Sequence, residues 1–334
     1  MAILENKITL SLEDLEDQLG SAKLPRFIHE TESKFLRRTK EVADYIYRNK
    51  QIRAIFVSGP TSSGKTTFTD RLVTSLSAMG REAFRVSLDD YYSIDQLQFD
   101  EEGRPDYESL TTIDTQLASE KIRSLLRGQD TIMPAFDFHK RVRTAEDLLS
   151  TASLPADGLL LVEGLHGLSP EIAGLIPREL WVGIFIMPWG EVVADRRLIG
   201  SQEVRLLRRI VRDSRHRGAH ALATLDYWPM IVSSEQHYFS EYLESADFYV
   251  NSLLTYESMV IAPLALKDIL YALDQFEKET LAPSVFLAYS EPRKPYADLP
   301  KALKMAHSLA HDLARIPAAP PGIVPADSIL NEFL

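Results

Sequence analysis

The sequence contains no cysteine. Disulfides, thiolate zinc sites and a cysteine nucleophile are therefore excluded. It also lacks any apolar run approaching the length of a bilayer span. The opening stretch MAILENKITLSLEDLEDQLG is acidic and has no long apolar core, so no secretory signal is expected there. Positive charge is in deficit: 37 Lys and Arg stand against 48 Asp and Glu, a net charge of −11 with a pI near 5.3. That argues against a general nucleic-acid partner and against an anionic membrane surface. The expected location is the cytoplasm. No internal repeat or low-complexity segment is visible. What remains is ordinary for a globular protein, 45 % hydrophobic and 25 % charged over 334 residues.

Residues 59–67 read GPTSSGKTT and fit the pattern G-x-x-x-x-G-K-[ST]. In a phosphate cradle of this kind the glycines Gly59 and Gly64 let backbone N–H groups turn inward. Pro60, Thr61, Ser62, Ser63 and Thr67 complete the loop. Lys65 reaches the β- and γ-phosphates, and the Thr66 hydroxyl suits Mg²⁺. The flanks agree. IRAIFVSG is a short β-branched apolar run, and TTFTDRLVTSLSAMG places Phe68, Leu72, Val73, Leu76 and Met79 on one helical face. A helix starting there adds its partial positive charge to the site.

Strand and helix patterns alternate beyond the loop. REAFRVSL (81–88), GLLLVEG (158–164), WVGIFIM (181–187) and DFYVNS (247–252) read as strands, and DTIMPAFDF (130–138) as extended. Residues 31–50, 111–128 and 204–218 read as helices, as does the stretch after Pro229. The fold class is therefore α/β: a P-loop NTPase-type, mostly parallel sheet with helices on both faces and ligands at the carboxyl ends of the strands. We divide the chain into a leader and helix (1–50), a P-loop kinase domain (51–280) with a helical lid at about 200–220, and a C-terminal helical extension packing on that core (281–334). The closing PADSILNEFL either docks back or projects, and no chemistry is assigned to it.

Three further stretches bear on the reaction. VSLDDYY (86–92) ends a strand with two carboxylates, Asp89 and Asp90. A kinase needs a carboxylate near the γ-phosphate to take the acceptor's hydroxyl proton. LLLVEGLHGL (159–168) runs a buried strand into Glu163, where a carboxylate serves Mg²⁺. The third is a run of arginines, Arg205, Arg208, Arg209, Arg212, Arg215 and Arg217. On a mobile helix these could close over phosphates. Alternatively they form a solvated basic face or pair with acidic neighbours.

GPTSSGKTT, SLDDYY, PDYESL, PAFDF, VEGLHGL and RRIVRDSRHRG occur in the order found in the uridine kinase / phosphoribulokinase family, which this chain resembles. The likeness is closest to a bacterial uridine-kinase-like nucleoside kinase branch, through DYWPMI, YVNSLLTYE and PADSILNEFL. The resemblance implies ATP and Mg²⁺ as cofactors. It implies Asp89 as general base toward a nucleoside 5′-hydroxyl and as a group in the metal shell with Thr66 and Glu163. It assigns Tyr92, Asp106, Tyr107, Glu108, Phe136, Phe138 and Arg141 or Arg143 to the acceptor side. Arg208, Arg209, Arg212 and Arg217 would grip the phosphates, with Lys65 and Arg212 carrying transferred charge. A homo-oligomer is a further expectation from the family. The segments MPWGEVVADRRLIGSQE and HKRVRTAEDLL depart from the branch's pattern. Three functions follow: a nucleoside kinase with a small-molecule acceptor, a kinase acting on a sugar phosphate or another small alcohol, and a nucleotide-binding regulatory protein with little turnover.

Overall fold

The structure is a computed structural model that describes residues 5–93, 95–137, 142–144, 149–290 and 293–334. Five strands form its main sheet: β1 (Ala54–Ser58), β2 (Ala83–Ser87), β3 (Leu159–Glu163), β4 (Trp181–Met187) and β5 (Phe248–Asn251). Their spatial order is β5-β4-β1-β3-β2, and every pair is parallel. Alternating side chains serve two cores, as the pleat requires. Ile55, Val57, Leu159, Leu161, Val182, Ile184 and Ile186 face one. Ala54, Phe56, Leu160, Val162, Trp181 and Phe185 face the other.

Helices cover both faces. The first core is closed by α1 (Lys23–Arg48), α2 (Lys65–Ala78), α4 (Ser201–His216), α6 (Glu257–Glu277) and α7 (Leu299–Leu313). The second is closed mainly by α3 (Thr115–Leu126) and the end of α5 (Ala221–Ser245). α3 starts later than the 111–128 pattern suggests because Asp114 caps it, accepting from the Leu117 N–H at 2.9 Å.

Two elements differ from expectation. The leader is not only local structure: Ile8–Ser11 pairs in parallel with Gly190–Val193, which pairs antiparallel with Arg197–Ile199. A partner 182 positions away leaves no local signal. α5 does not begin after Pro229 but runs through it from Ala221, since Leu222, Leu225, Trp228 and Ile231 are all buried. That burial outweighs the lost backbone bond. The expected lid helix, α4, packs against the first core. Val204, Leu206, Leu207, Ile210 and Val211 are buried along its length.

Candidate active site

The register of the sheet assembles the site. Glu163 is level with Val57 on β1 and with Ser87 on β2. The phosphate loop leaves β1 immediately beyond, and Asp89 lies two residues past Ser87 in the turn Leu88–Tyr91. Three neighbouring strand ends therefore deliver Lys65, Glu163 and Asp89 to one crevice.

The loop is shaped by two left-handed residues, Ser62 at φ 57° and Gly64 at φ 87°. Such a conformation is natural for Gly64 and costly for Ser62. Gly59 is needed for close approach, because a Cβ there would sit 2.1 Å from the Ile186 carbonyl oxygen. Lys65 Nζ lies across the loop, donating to the carbonyls of Gly59 (2.8 Å) and Pro60 (3.0 Å). Ser62 Oγ and Ser63 Oγ are buried with no hydrogen-bond partner among the described residues. Thr66 is exposed at the helix start.

Asp89 lines the crevice and keeps an accessible edge. Crowding by the walls nevertheless pushes its carboxyl up. Lys65 opposes that shift, Glu108 adds to it, and Arg217 and Arg212 oppose it. Glu163, at 4 % exposure, is pushed up to about 7 by burial and then by Asp89, with Lys65 pulling it down. A carboxyl raised by the charge of a neighbouring carboxylate suits a cation between the two. Mg²⁺ takes one or two carboxylates together with phosphate oxygens and water, not an all-protein cage. Consistently, no cluster of three or more His, Asp or Glu able to hold a metal alone exists among the described residues. Thr66, Asp89 and Glu163 thus fit the group. Asp90 takes a different part: its carboxylate accepts from the Phe136 N–H and ties down the acceptor-side segment.

The arginines of α4 divide by the partners they meet. Arg205 pairs with buried Glu235 at 2.8 Å and donates to the Thr61 carbonyl, while Glu235 accepts from the Thr61 N–H at 2.7 Å. Arg208 was expected to grip phosphate. It is fully buried, its Nε and Nη2 fork onto Glu257, and its remaining N–H groups meet Ser252 and the Ser62 carbonyl. With those partners it braces the loop from behind. Arg209 donates to Thr61 Oγ1 at 2.8 Å and pairs with Asp213 and Glu108. Arg212, one turn on from Arg208, differs in its partners. Its Nε and Nη2 have no hydrogen-bond partner among the described residues, and burial followed by the Arg217 charge brings it down to about 10. Arg217 is half-exposed and 3.5 Å from Asp213.

Of the residues expected to meet the acceptor, Tyr92 donates its hydroxyl to the Tyr107 carbonyl, and its ring lies 5.7 Å from that of Phe136. Asp106 accepts from the Glu108 N–H at 3.0 Å. Arg143 is drawn to Asp114 at 2.7 Å, at the start of α3. Phe138 and Arg141 lie outside the described residues.

Four contributors were missed. Glu235 and Glu257 had no sequence signal, their partners being 30 and 49 positions away. Asp213 had one: it stands four positions from both Arg209 and Arg217. His166, in VEGLHGL, is buried between the Tyr242 hydroxyl (2.7 Å) and the Glu108 carbonyl (2.9 Å), and burial holds it down at about 4.

Comparison with known proteins fits this geometry. The profile of the Phosphoribulokinase / Uridine kinase family matches residues 54–257. A uridine kinase of Halobacterium salinarum is 29 % identical over 190 residues, 56 % of this chain and 74 % of that one. One from Macrococcus caseolyticus is 26 % identical over 192 residues, 56 % and 81 % of the two chains. One from Staphylococcus haemolyticus is 27 % identical over 192 residues with the same coverage.

Proposed function

We propose that this chain, which belongs to the Phosphoribulokinase / Uridine kinase family, is a kinase that phosphorylates a nucleoside 5′-hydroxyl, forming the 5′-monophosphate and ADP from ATP. The observation that carries this reading is the convergence of Lys65, Asp89 and Glu163 at three adjacent strand ends. The relatives named uridine kinase favour a nucleoside over other alcohols.

In this reading Asp89 accepts the acceptor's hydroxyl proton. The freed oxygen forms the new P–O bond as the bond to the ADP oxygen breaks, and ADP leaves with that electron pair. A carboxyl held above its ordinary range is a better base near neutral pH than a free aspartate. Lys65 and Arg212 face the transferring charge, and Tyr92, Tyr107 and Phe136 offer flat surfaces for a base. Mg²⁺, held by Thr66, Asp89 and Glu163, would supply neutralisation of phosphate charge. No helix among the described residues is long and apolar enough to cross a membrane; a cytoplasmic enzyme is part of the proposal.

The test is acceptor-dependent ADP release across uridine, cytidine, adenosine, guanosine, thymidine, ribulose 5-phosphate and simple polyols, with products weighed by mass spectrometry. A nucleoside 5′-monophosphate is expected. Product only from ribulose 5-phosphate or a polyol moves the acceptor, and ATP binding without release favours a regulatory role. Asp89→Asn should lower kcat by about 10³-fold or more with the fold intact. Full activity in that variant removes Asp89 from the base role.

A further inference from the structure

The C-terminal tail, to which the sequence assigned no chemistry, reaches the phosphate loop. Ile329, Leu330 and Phe333 are fully buried. Ile329 packs so closely on Gly64 that a Cβ there would lie 2.3 Å from its Cδ1. The Arg208 guanidinium sits 5.0 Å from the Phe333 ring, and Ser328 meets the Tyr256 hydroxyl at 3.2 Å. These contacts fix the tail's backbone beside the loop and leave Glu332 half-buried at its edge.

Glu332 then meets the start of α2. Its carboxylate accepts from the Thr67 N–H at 3.4 Å and from Thr67 Oγ1 at 3.2 Å. The Thr67 N–H is one of the helix-terminal donors without an intrahelical partner, in the region of positive potential that a phosphate would use. The same carboxylate is near enough to Arg212 to favour its charged form. Ser62 Oγ and Ser63 Oγ, at 3 % and 1 % exposure, remain unpartnered in that loop. A groove of about 430 Å³ opens between α2 and the tail, lined by Thr67, Arg71, Asn331 and Glu332 among others. The terminal nitrogens of Arg71 are buried there without hydrogen-bond partners among the described residues. Glu332 therefore has room to turn away while Ile329 and Phe333 stay in place.

We propose that Glu332 is a built-in competitor of the donor nucleotide: it occupies the Thr67 end of the phosphate loop and must be displaced when a nucleoside di- or triphosphate binds. The inference rests on the reading of residues 59–67 as a nucleotide site. One donor pair cannot serve a carboxylate and a phosphate together, so this single side chain sets donor affinity. Removing its charge releases the donors without disturbing the buried anchors.

The experiment is calorimetric titration of the full chain with ADP, and with inorganic pyrophosphate as the minimal probe. Wild type, Glu332→Gln, Glu332→Ala and Lys65→Ala are compared. Both Glu332 variants should bind either probe about tenfold more tightly than wild type, the scale of one charge-assisted hydrogen bond. Equal or weaker binding in Glu332→Gln, with ADP still bound by wild type and lost in Lys65→Ala, overturns the competitor and leaves the nucleotide site standing. Absence of binding in wild type and all variants overturns the nucleotide reading itself, and the competitor with it. If either Glu332 variant is less stable, the ADP-induced rise in Tm replaces calorimetry. It should be larger in the variant than in wild type, and an equal or smaller rise counts against the proposal.

Discussion

Along α4, Arg205 and Arg208 each meet one buried glutamate and hold Thr61 and Ser62 by their backbone atoms. One turn further on, Arg212 is near enough to Asp89 to favour its charged form; its Nε and Nη2 have no hydrogen-bond partner among the described residues, and it shares Asp213 with Arg209 and Arg217. One residue type on one helix thus has two tasks. A guanidinium surrounded by protein acceptors is a brace, because moving it would strand a buried carboxylate. A guanidinium short of acceptors is available to an incoming anion. Proximity to the phosphate loop does not separate the two; the count of satisfied donors does.

The largest expected effect breaks the brace. Arg208→Ala leaves Glu257 buried and unpaired, and should destabilise the protein by about 3–5 kcal/mol in urea unfolding. Stability within about 1 kcal/mol of wild type would place Arg208 with the phosphate-facing group after all. Arg212→Ala tests the other task. It should lower kcat by about 10²–10³-fold while the unfolding midpoint stays near that of wild type. A variant that unfolds early yet turns over normally would reverse the assignment.

His166 sharpens the same distinction through pH. Burial keeps its imidazole neutral in the fold down to about 4, against 6.5 for the free group. Below pH 6.5 the unfolded chain takes up the proton first, so stability falls as pH drops from 6.5 toward 4. The full loss is about 3 kcal/mol. His166→Gln has no such titration. The stability gap between it and wild type should therefore narrow over that window. A gap independent of pH would mean that the folded protein accommodates a protonated His166, so that it is no buried brace.

Local chemistry carried much of the reading. The phosphate loop, the five main strands and Glu163 were visible because each depends on neighbours within a few residues: glycine spacing, a β-branched run, a strand-terminal carboxylate. The C-terminal extension was expected to be helical, and α7 occupies Leu299–Leu313. What failed depended on distant pairing. The strand Ile8–Ser11 needs Gly190–Val193, the brace needs Glu235 and Glu257, and the helix through Pro229 needs a core to bury Trp228 and Ile231.

The sequence by itself thus determined that this chain presents a phosphate cradle, two carboxylates and a row of arginines on an α/β scaffold. Only the tertiary structure decided which arginine supports and which faces the crevice, and that Glu332 contacts Thr67 from 265 positions away. The physical reason is that backbone motifs and periodicity are encoded between near neighbours. Whether a buried charge is satisfied depends on the partners that folding brings to it.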